Sequence, residues 1–104
     1  MRVKWSPFAK KQMREIARYI RKEFGKNRRD EFIQEVREAN QLIGRTPNVG
    51  KIEPLLEDEA ITYRSYVINH LNKIIYYIED DHIEVADFWE VRQDPGVLTD
   101  RVKN

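Results

Sequence analysis

The chain of 104 residues is 40% hydrophobic and 36% charged, which allows one compact domain with a single core and excludes two ordinary ones. It contains no cysteine, so neither a disulfide framework nor a cysteine-based zinc site can hold the fold together. The opening residues lack the apolar stretch of a signal peptide, and no apolar run approaches the roughly 18–20 residues of a membrane span. We therefore expect a cytoplasmic protein that forms a single domain over residues 1–104 and makes no membrane contact.

The net charge of +1 conceals a strong asymmetry between the two halves of the chain. Residues 1–52 contain 14 Lys or Arg and 6 Asp or Glu, whereas residues 53–104 contain 5 and 12. A basic half is typical of a surface that contacts nucleic acid or an acidic protein. The alternative is that the two halves neutralise each other within the fold.

The first elements in chain order are a short strand and an amphipathic helix. Val3 and Trp5 alternate with charged residues, which predicts a strand. Ser6 can cap a helix with its hydroxyl, and Pro7 suits the first helical position because an N–H there would be unpaired anyway. Gly25 can end this helix, which we place at about residues 7–24. Its apolar stripe consists of Met13, Ile16, Ala17, Ile20 and Phe24.

A second amphipathic helix follows the turn at residues 25–27. Its apolar stripe extends to Gly44 and consists of Phe32, Ile33, Val36, Ala39, Leu42 and Ile43. So short a turn predicts an antiparallel helix hairpin, and the hairpin needs a common apolar surface to cover. Residues 45–51 and 53–54 are predicted to be loop, followed by the acidic run at residues 57–59.

From Ile61 onward the composition favours β-structure. Three segments rich in β-branched and aromatic residues, at about 61–68, 73–79 and 82–91, are separated by two short turns. The predicted fold class is therefore α+β: an N-terminal strand, an antiparallel helix hairpin, and a three-stranded antiparallel meander packed on the helices. Two-residue loops at 70–71 and 80–81 would set the register of all three strands.

In this register the two faces of the meander differ in polarity. The face expected against the helices comprises Ile61, Tyr63, Ser65, Val67, Ile74, Tyr76, Ile78, Ile83, Val85, Asp87, Trp89 and Val91. The opposite, open face comprises Thr62, Arg64, Tyr66, Ile68, Lys73, Ile75, Tyr77, His82, Glu84, Ala86, Phe88, Glu90 and Arg92. Asp87 is the charged exception on the apolar face, and it indicates either a hydrogen bond to a helix terminus or a β-bulge that changes the register.

The open face is predicted to carry three cations, Arg64, Lys73 and Arg92. Together with Tyr66 and Tyr77 they are typical of a nucleic-acid surface, because guanidinium and ammonium groups bind phosphates and aromatic rings stack on bases. The alternative is that the cations form exposed ion pairs with acids of the same face, Glu84 and Glu90, each pair worth about 0–1 kcal/mol.

Other chemistries have little support in the sequence. His70 and His82 are the two histidines, and the acids near them lack metal-ligand spacing, so we expect no metal and no cofactor. A glycine-rich phosphate loop and a nucleophile elbow are both missing from the sequence. Asp94 and Pro95 end the last predicted strand, since proline cannot extend a ladder.

The order of these elements resembles that of the RelE/ParE superfamily of type II toxins, over nearly the whole chain. The most specific part is "YRSYVINHLNKIIYYIEDDHIEVADFWEVRQDP". It is similar to the family's Tyr-Arg pair, basic-apolar-Tyr strand and terminal strand ending in Arg-x-x-Pro. The opening "WSPFAKKQMREIARYI" is similar to the family's first helix.

The resemblance implies a growth-inhibiting toxin that a cognate antitoxin protein neutralises. Members either enter the ribosomal A site and cleave mRNA without a metal, or poison DNA gyrase. In the mRNA-cleaving branch, basic residues on the sheet stabilise the charge of the scissile phosphate. By position, Arg64, Lys73 and Arg92 match those basic sites. Tyr66 stands where such members often carry another cation, and Asp94 is a candidate acid or base.

One departure from the family pattern favours the gyrase branch. The mRNA-cleaving members usually have a Tyr or His near the C-terminus that assists proton transfer, whereas residues 96–104 contain neither. We therefore expect a ParE-like toxin, with a ribosome-dependent mRNA endonuclease as the alternative. Two further alternatives are a non-toxic protein-binding module of the same fold, and nonspecific nucleic-acid binding by the basic helix hairpin.

Overall fold

The first strand and the first helix lie where the sequence predicts them. In the computed structural model, which describes residues 1–91, β1 is Arg2–Trp5 and α1 is Pro7–Phe24. The Ser6 hydroxyl accepts a hydrogen bond from the Ala9 N–H at 3.0 Å. This contact pairs one of the donors that the first helical turn leaves open, so α1 begins at the predicted residue.

Gly25 alone connects the two helices. Its φ of 94° belongs to a backbone region that is open essentially to glycine, and its N–H still donates to the Arg21 carbonyl at 3.0 Å. α2 is Lys26–Arg45 and begins directly after Gly25, whereas we expected a turn through residue 27. α2 ends at Arg45. The next residue, Thr46, precedes Pro47, and a residue before proline is disfavoured in helical conformation.

Within residues 1–91, the sheet has five strands in the order β1-β5-β4-β3-β2. The four strands after the helices are β2 (Lys51–Ile52), β3 (Arg64–Ile68), β4 (Asn72–Ile78) and β5 (His82–Glu90). β1 pairs in parallel with β5 and the other neighbours are antiparallel, so the predicted meander is confirmed. β2 is a short strand in a segment that we predicted to be loop. Neither α1 nor α2 combines the length and the hydropathy that a membrane-spanning helix requires.

The two helices cover one face of the sheet with the main core. Val3 and Trp5 of β1 pack against this core because the parallel register places them beside Ile83 and Val85. The predicted apolar stripe of α2 is confirmed by its four buried members. The buried residues of the main core are Ala9, Ala17, Phe32, Val36, Ala39, Ile43, Ile68, Ile74, Tyr76, Ile83, Val85 and Phe88.

The turn between β3 and β4 has three residues rather than the two that we assumed. Ile68 pairs with Asn72, which leaves residues 69–71 as the loop. Asn69 and His70 both adopt positive φ, 44° and 64°. The Asn69 side-chain oxygen accepts a hydrogen bond from the Leu71 N–H at 3.2 Å, a local contact that helps Asn tolerate this conformation.

This difference of one residue corrects the predicted face of β3. A one-residue slip turns every side chain of a strand to the other face. Arg64 and Tyr66 therefore lie on the same side as the helices, where Tyr66 packs against the main core. Ser65 and Val67, predicted to face the helices, point the other way.

Asp87 follows a β-bulge, the second of the two alternatives that the sequence left open. Ile75 is opposite Asp87, whereas the next residue, Tyr76, is opposite Val85. Ala86 is the extra residue in β5, so the alternation of faces is reversed beyond it. The buried Asp87 side chain consequently points away from the helices, contrary to the predicted register.

The face that we predicted to be open carries a second buried cluster. Beyond the bulge, Phe88 enters the main core and Trp89 points away from the helices, the reverse of the prediction. Trp89 is 1% exposed and packs with Leu56, Tyr63 and Ile75. Because Leu56 and Tyr63 belong to the segment between β2 and β3, this segment covers the sheet where we expected an exposed surface.

Candidate functional site

Arg64 lies on the helix side of the sheet and holds the loop between α2 and β2. Its Nη1 donates to the Gly50 carbonyl at 2.8 Å. The Gly50 N–H donates to the Tyr76 hydroxyl at 2.9 Å, and this hydroxyl donates to the Pro47 carbonyl at 2.7 Å. Tyr76 is fully buried, and its burial raises the pKa of the phenol. Arg64 and Tyr76 thus fix the same loop from two adjacent strands.

Gly50 is required at this point by close packing rather than by its backbone angles. A Cβ atom there would lie 2.6 Å from the Tyr76 hydroxyl oxygen and 2.8 Å from the Ser65 carbonyl oxygen. Both distances are shorter than real Cβ contacts, and the Ser65 oxygen belongs to the backbone of β3. Only glycine allows the loop to approach the sheet this closely.

Lys73 lies on the other side of the sheet, in an ion pair with Glu53. The Lys73 Nζ contacts the Glu53 Oε1, and the Glu53 Oε2 accepts a hydrogen bond from the Leu55 N–H at 3.1 Å. The side chains of Glu53 and Lys73 are 1% and 15% exposed. A carboxylate so deeply buried needs a cation and hydrogen-bond donors to offset the loss of water. The Lys73 ammonium group is therefore occupied by the Glu53 carboxylate within the protein.

The prediction that the three cations share one face of the sheet is wrong for Arg64 and Lys73, the two of them that lie within residues 1–91. Arg64 pairs across the ladder with Tyr76, and Lys73 pairs with Val67, so the two side chains leave the sheet from opposite faces. The physical reason is the three-residue turn, which shifts β3 by one position. Arg92 and Asp94 lie outside the described residues.

The two predicted aromatic contacts are separated in the same way. Tyr66 lies on the helix side, at a groove beside α2. Tyr77 lies on the other side and makes a T-shaped contact with Tyr63, with ring centroids 5.5 Å apart and an interplanar angle of 83°. Burial raises the pKa of Tyr77, and the nearby Glu84 raises it further. The two tyrosines do not form a common stacking surface.

A groove of about 580 Å³ separates α2 from β3. It is lined by Glu35, Glu38, Ala39, Gln41, Leu42, Arg45 and residues 66–69. β2 pairs only with Arg64 and Ser65, so the outer edge of residues 66–68 has no strand partner among residues 1–91. Val67, 45% exposed, stands at this edge. An unpaired edge beside a groove can accept an extended segment of another protein.

His82 is held between two carboxylates at the start of β5. Its Nδ1 lies 2.8 Å from Asp81 Oδ1 and its Nε2 lies 3.1 Å from Glu84 Oε1. The hydrogen bond to Asp81 raises the pKa of His82 most, and the hydrogen bond to Glu84 raises it further. The same contact with His82 lowers the pKa of Asp81. Glu84, the predicted partner of an open-face cation, contacts this imidazole instead. Residues 1–91 contain no group of three or more His, Cys, Asp or Glu that could hold a metal.

Three residues on which these contacts depend, Glu53, Tyr76 and Gly50, have weak signals or none in the sequence. Glu53 is one of twelve acids in the second half of the chain, and nothing in its immediate neighbours marks it as buried. Tyr76 was assigned to the core, but its hydroxyl partners come from a loop distant in sequence. Gly50 was the one available signal, because a glycine before a short strand can indicate close backbone approach.

A family model described as the ParE toxin of the type II toxin-antitoxin system parDE matches residues 3–95. This range extends over Arg92 and Asp94. Among curated protein sequences, none matches this chain.

Solved structures share the fold. A chain from the chromosomal ParDE toxin-antitoxin system of P. aeruginosa has a TM-score of 0.71 at 15% sequence identity, over 86% of this chain and 95% of that chain. A chain of the YoeB dimer from Staphylococcus aureus has a TM-score of 0.53 at 24% identity, over 84% and 92%. Both solved structures thus share this chain's fold of a helix hairpin on a mixed sheet. The family match covers nearly all of the sequence. The chain belongs to the ParE toxin family of type II toxin-antitoxin systems.

Proposed function

We propose that this ParE-family chain inhibits bacterial growth by acting on DNA gyrase, rather than by cleaving mRNA. The observation that supports this choice is the internal use of Arg64 and Lys73 on opposite faces of the sheet. Metal-independent cleavage of a phosphodiester needs cations and an acid or base that converge on one phosphate. Arg64 and Lys73 cannot meet at one phosphate while β3 and β4 keep this register.

The alternative of a ribosome-dependent mRNA endonuclease rests on Arg92 and Asp94. The family pattern of a Tyr or His after the last strand has no counterpart in residues 96–104, which weakens this alternative further. A non-toxic binding module of the same fold is the second alternative. The family also implies an antitoxin protein as the partner of this chain.

Two assays on the purified chain separate these functions. Supercoiling of relaxed plasmid by gyrase should fall as the chain is added, and message bound to ribosomes should stay intact. Ribosome-dependent cleavage without any effect on supercoiling would overturn the proposal. A folded chain that affects neither reaction, and that does not slow growth when expressed alone, would support the binding module.

A pair of variants tests whether Lys73 acts on a phosphate or only stabilises the fold. Lys73→Met alone leaves the Glu53 carboxylate buried without its cation, so lost toxicity could simply reflect unfolding. The double variant Lys73→Met/Glu53→Gln removes both charges together. We expect it to inhibit growth within a few-fold of the unmodified chain. A cation that stabilises the transition state would instead cost about 10²–10³-fold in cleavage.

We also infer that the antitoxin contacts the groove between α2 and the outer edge of β3. This inference is supported by the short β2, which leaves the edge at Val67 unpaired and exposed. Val67→Asp should weaken antitoxin binding at least tenfold by calorimetry, because it places a charge beside the unpaired backbone edge of β3, on the sheet face away from α2, where an added strand would cover it. Ile78→Asp is the matched control, since Ile78 is similarly exposed at 40% but lies at the far end of β4. An equal loss in both variants would contradict this location.

A further inference from the structure

The outer face of α1 is a continuous stripe of positive charge. At 3.6 residues per turn, six Lys or Arg side chains of α1 fall in one sector of about 120°. After the first turn, no other residue of α1 falls in that sector. Met13, Ile16 and Ile20 pack against the core, whereas Phe8, Tyr19 and Phe24 are exposed outside the sector. All six are exposed. This α1 cationic stripe consists of Lys10, Lys11, Arg14, Arg18, Arg21 and Lys22.

The stripe is not neutralised within the described part of the fold. None of its six members forms an ion pair with a residue of 1–91. The start of α2 contrasts with it: Lys26 contacts Asp30 at 2.9 Å, Arg28 contacts Glu31 at 3.1 Å, and Arg29 contacts Asp30 at 2.8 Å. Among residues 1–91, the three cations at the start of α2 are thus paired with acids, whereas the six cations of the stripe are not.

The arrangement on α1 works against helix stability. Lys10, Arg14, Arg18 and Lys22 follow one another at intervals of four residues, where like charges on a helix are neighbours. Each such pair costs about 0.2–0.5 kcal/mol. A ligand of high negative charge density would remove this cost on binding.

The composition of the stripe discriminates between possible partners. Protein interfaces concentrate their binding energy in buried aromatic and apolar anchors, and the stripe contains none. A membrane-surface helix inserts its apolar face into lipid, whereas the apolar face of α1 is packed on the sheet through Met13, Ile16 and Ile20. Contacts to a phosphate backbone need only positive charge in a regular row.

We propose that the α1 cationic stripe binds the phosphodiester backbone of a nucleic-acid duplex, independently of base sequence. From Lys10 to Lys22 the stripe is about 18 Å long at 1.5 Å per residue. A DNA duplex carries one negative charge per about 1.7 Å of its axis, so roughly ten phosphates lie within this length. Six contacts would give a slope of log K against log salt of about −5. This inference goes beyond the proposed function and does not depend on gyrase.

The experiment measures the anisotropy of a fluorescein-labelled 20-base-pair duplex, as DNA and as RNA, between about 25 and 200 mM NaCl. The stripe variant is Lys10→Gln/Arg14→Gln/Arg18→Gln. The matched control is Lys26→Gln/Arg28→Gln/Arg29→Gln, which removes the same three charges from the paired cluster on α2. Glutamine has nearly the helix propensity of lysine and arginine, so circular dichroism should confirm that both variants are folded.

For the stripe variant, we expect the slope of log K against log salt to be less negative by about 2.7, which is about 0.9 for each of the three lost contacts. For the control, we expect this slope to change by less than 1. Binding of DNA alone, of RNA alone or of both would support the proposal and identify the duplex. Equal effects of the two variants would overturn it, because net charge alone would then explain binding. So would equal affinity for poly-glutamate, or no binding of the unmodified chain at the lowest salt concentration. None of these results depends on whether the chain inhibits gyrase.

Discussion

Tyr76→Phe removes one oxygen atom from the contact between the sheet and the loop at Gly50. The ring is fully buried, and phenylalanine keeps its shape, so the main core should stay packed. The variant leaves the buried Gly50 N–H without its acceptor and the Pro47 carbonyl without its donor. Leaving the buried Gly50 N–H unpaired costs about 1–3 kcal/mol. The Pro47 carbonyl adds little to this cost, because it is only partly buried and a water molecule can replace its donor. We therefore expect the free energy of unfolding to fall by about 2 kcal/mol.

Urea unfolding followed by tryptophan fluorescence measures this loss. At an m value of about 1.5 kcal/mol/M, a loss of about 2 kcal/mol lowers the urea midpoint by about 1.3 M without changing m. Tyr19→Phe is the control, because Tyr19 is 60% exposed and should change stability by less than about 0.5 kcal/mol. If the two variants unfold at the same midpoint, the Tyr76 hydroxyl does not hold the loop and the account of Gly50 is wrong.

Three further predictions concern the ion pair, the glycine and the histidine. Lys73→Met should lower the free energy of unfolding by about 3–5 kcal/mol, and adding Glu53→Gln should restore most of it in the same urea assay; additive losses would contradict the pairing. Gly50→Ala should cost about 1–3 kcal/mol, because the new methyl group meets the Ser65 carbonyl of the sheet; a neutral effect would refute the close approach. His82 has a pKa raised above 6.5, so its stabilising contribution should be complete below about pH 6.5 and lost as the pH rises through the pKa of the folded state. In an NMR titration, Asp81→Asn should move the His82 midpoint down, and an unchanged midpoint would show that the Asp81 contact does not form in solution.

The prediction that Arg64 and Lys73 share one face of the sheet failed at the turn between β3 and β4, and the failure has a specific cause. Arg64 and Lys73 belong to segments rich in β-branched and aromatic residues, and the prediction that both lie in strands is confirmed. Which face each occupies depends on the number of residues in the turn, and Asn69 and His70 allowed a three-residue turn that the sequence pattern did not distinguish from a two-residue one. Because side chains alternate with a period of two, that single residue separated the two cations. The α1 cationic stripe was predictable, since helical spacing is independent of any partner strand.

Neighbouring residues were enough to predict the capped helix after Ser6, the glycine between the helices, the three strands of the meander and the apolar stripes except Phe24, which is exposed. Which groups meet across the chain depends on the packing of distant segments. The Glu53–Lys73 pair joins residues 20 positions apart in the sequence, and the Tyr76 hydroxyl contacts Gly50, which is 26 positions away. Local patterns reflect the conformation of a few consecutive residues, whereas burial of a charge or hydroxyl is settled by a partner that long-range packing brings to it.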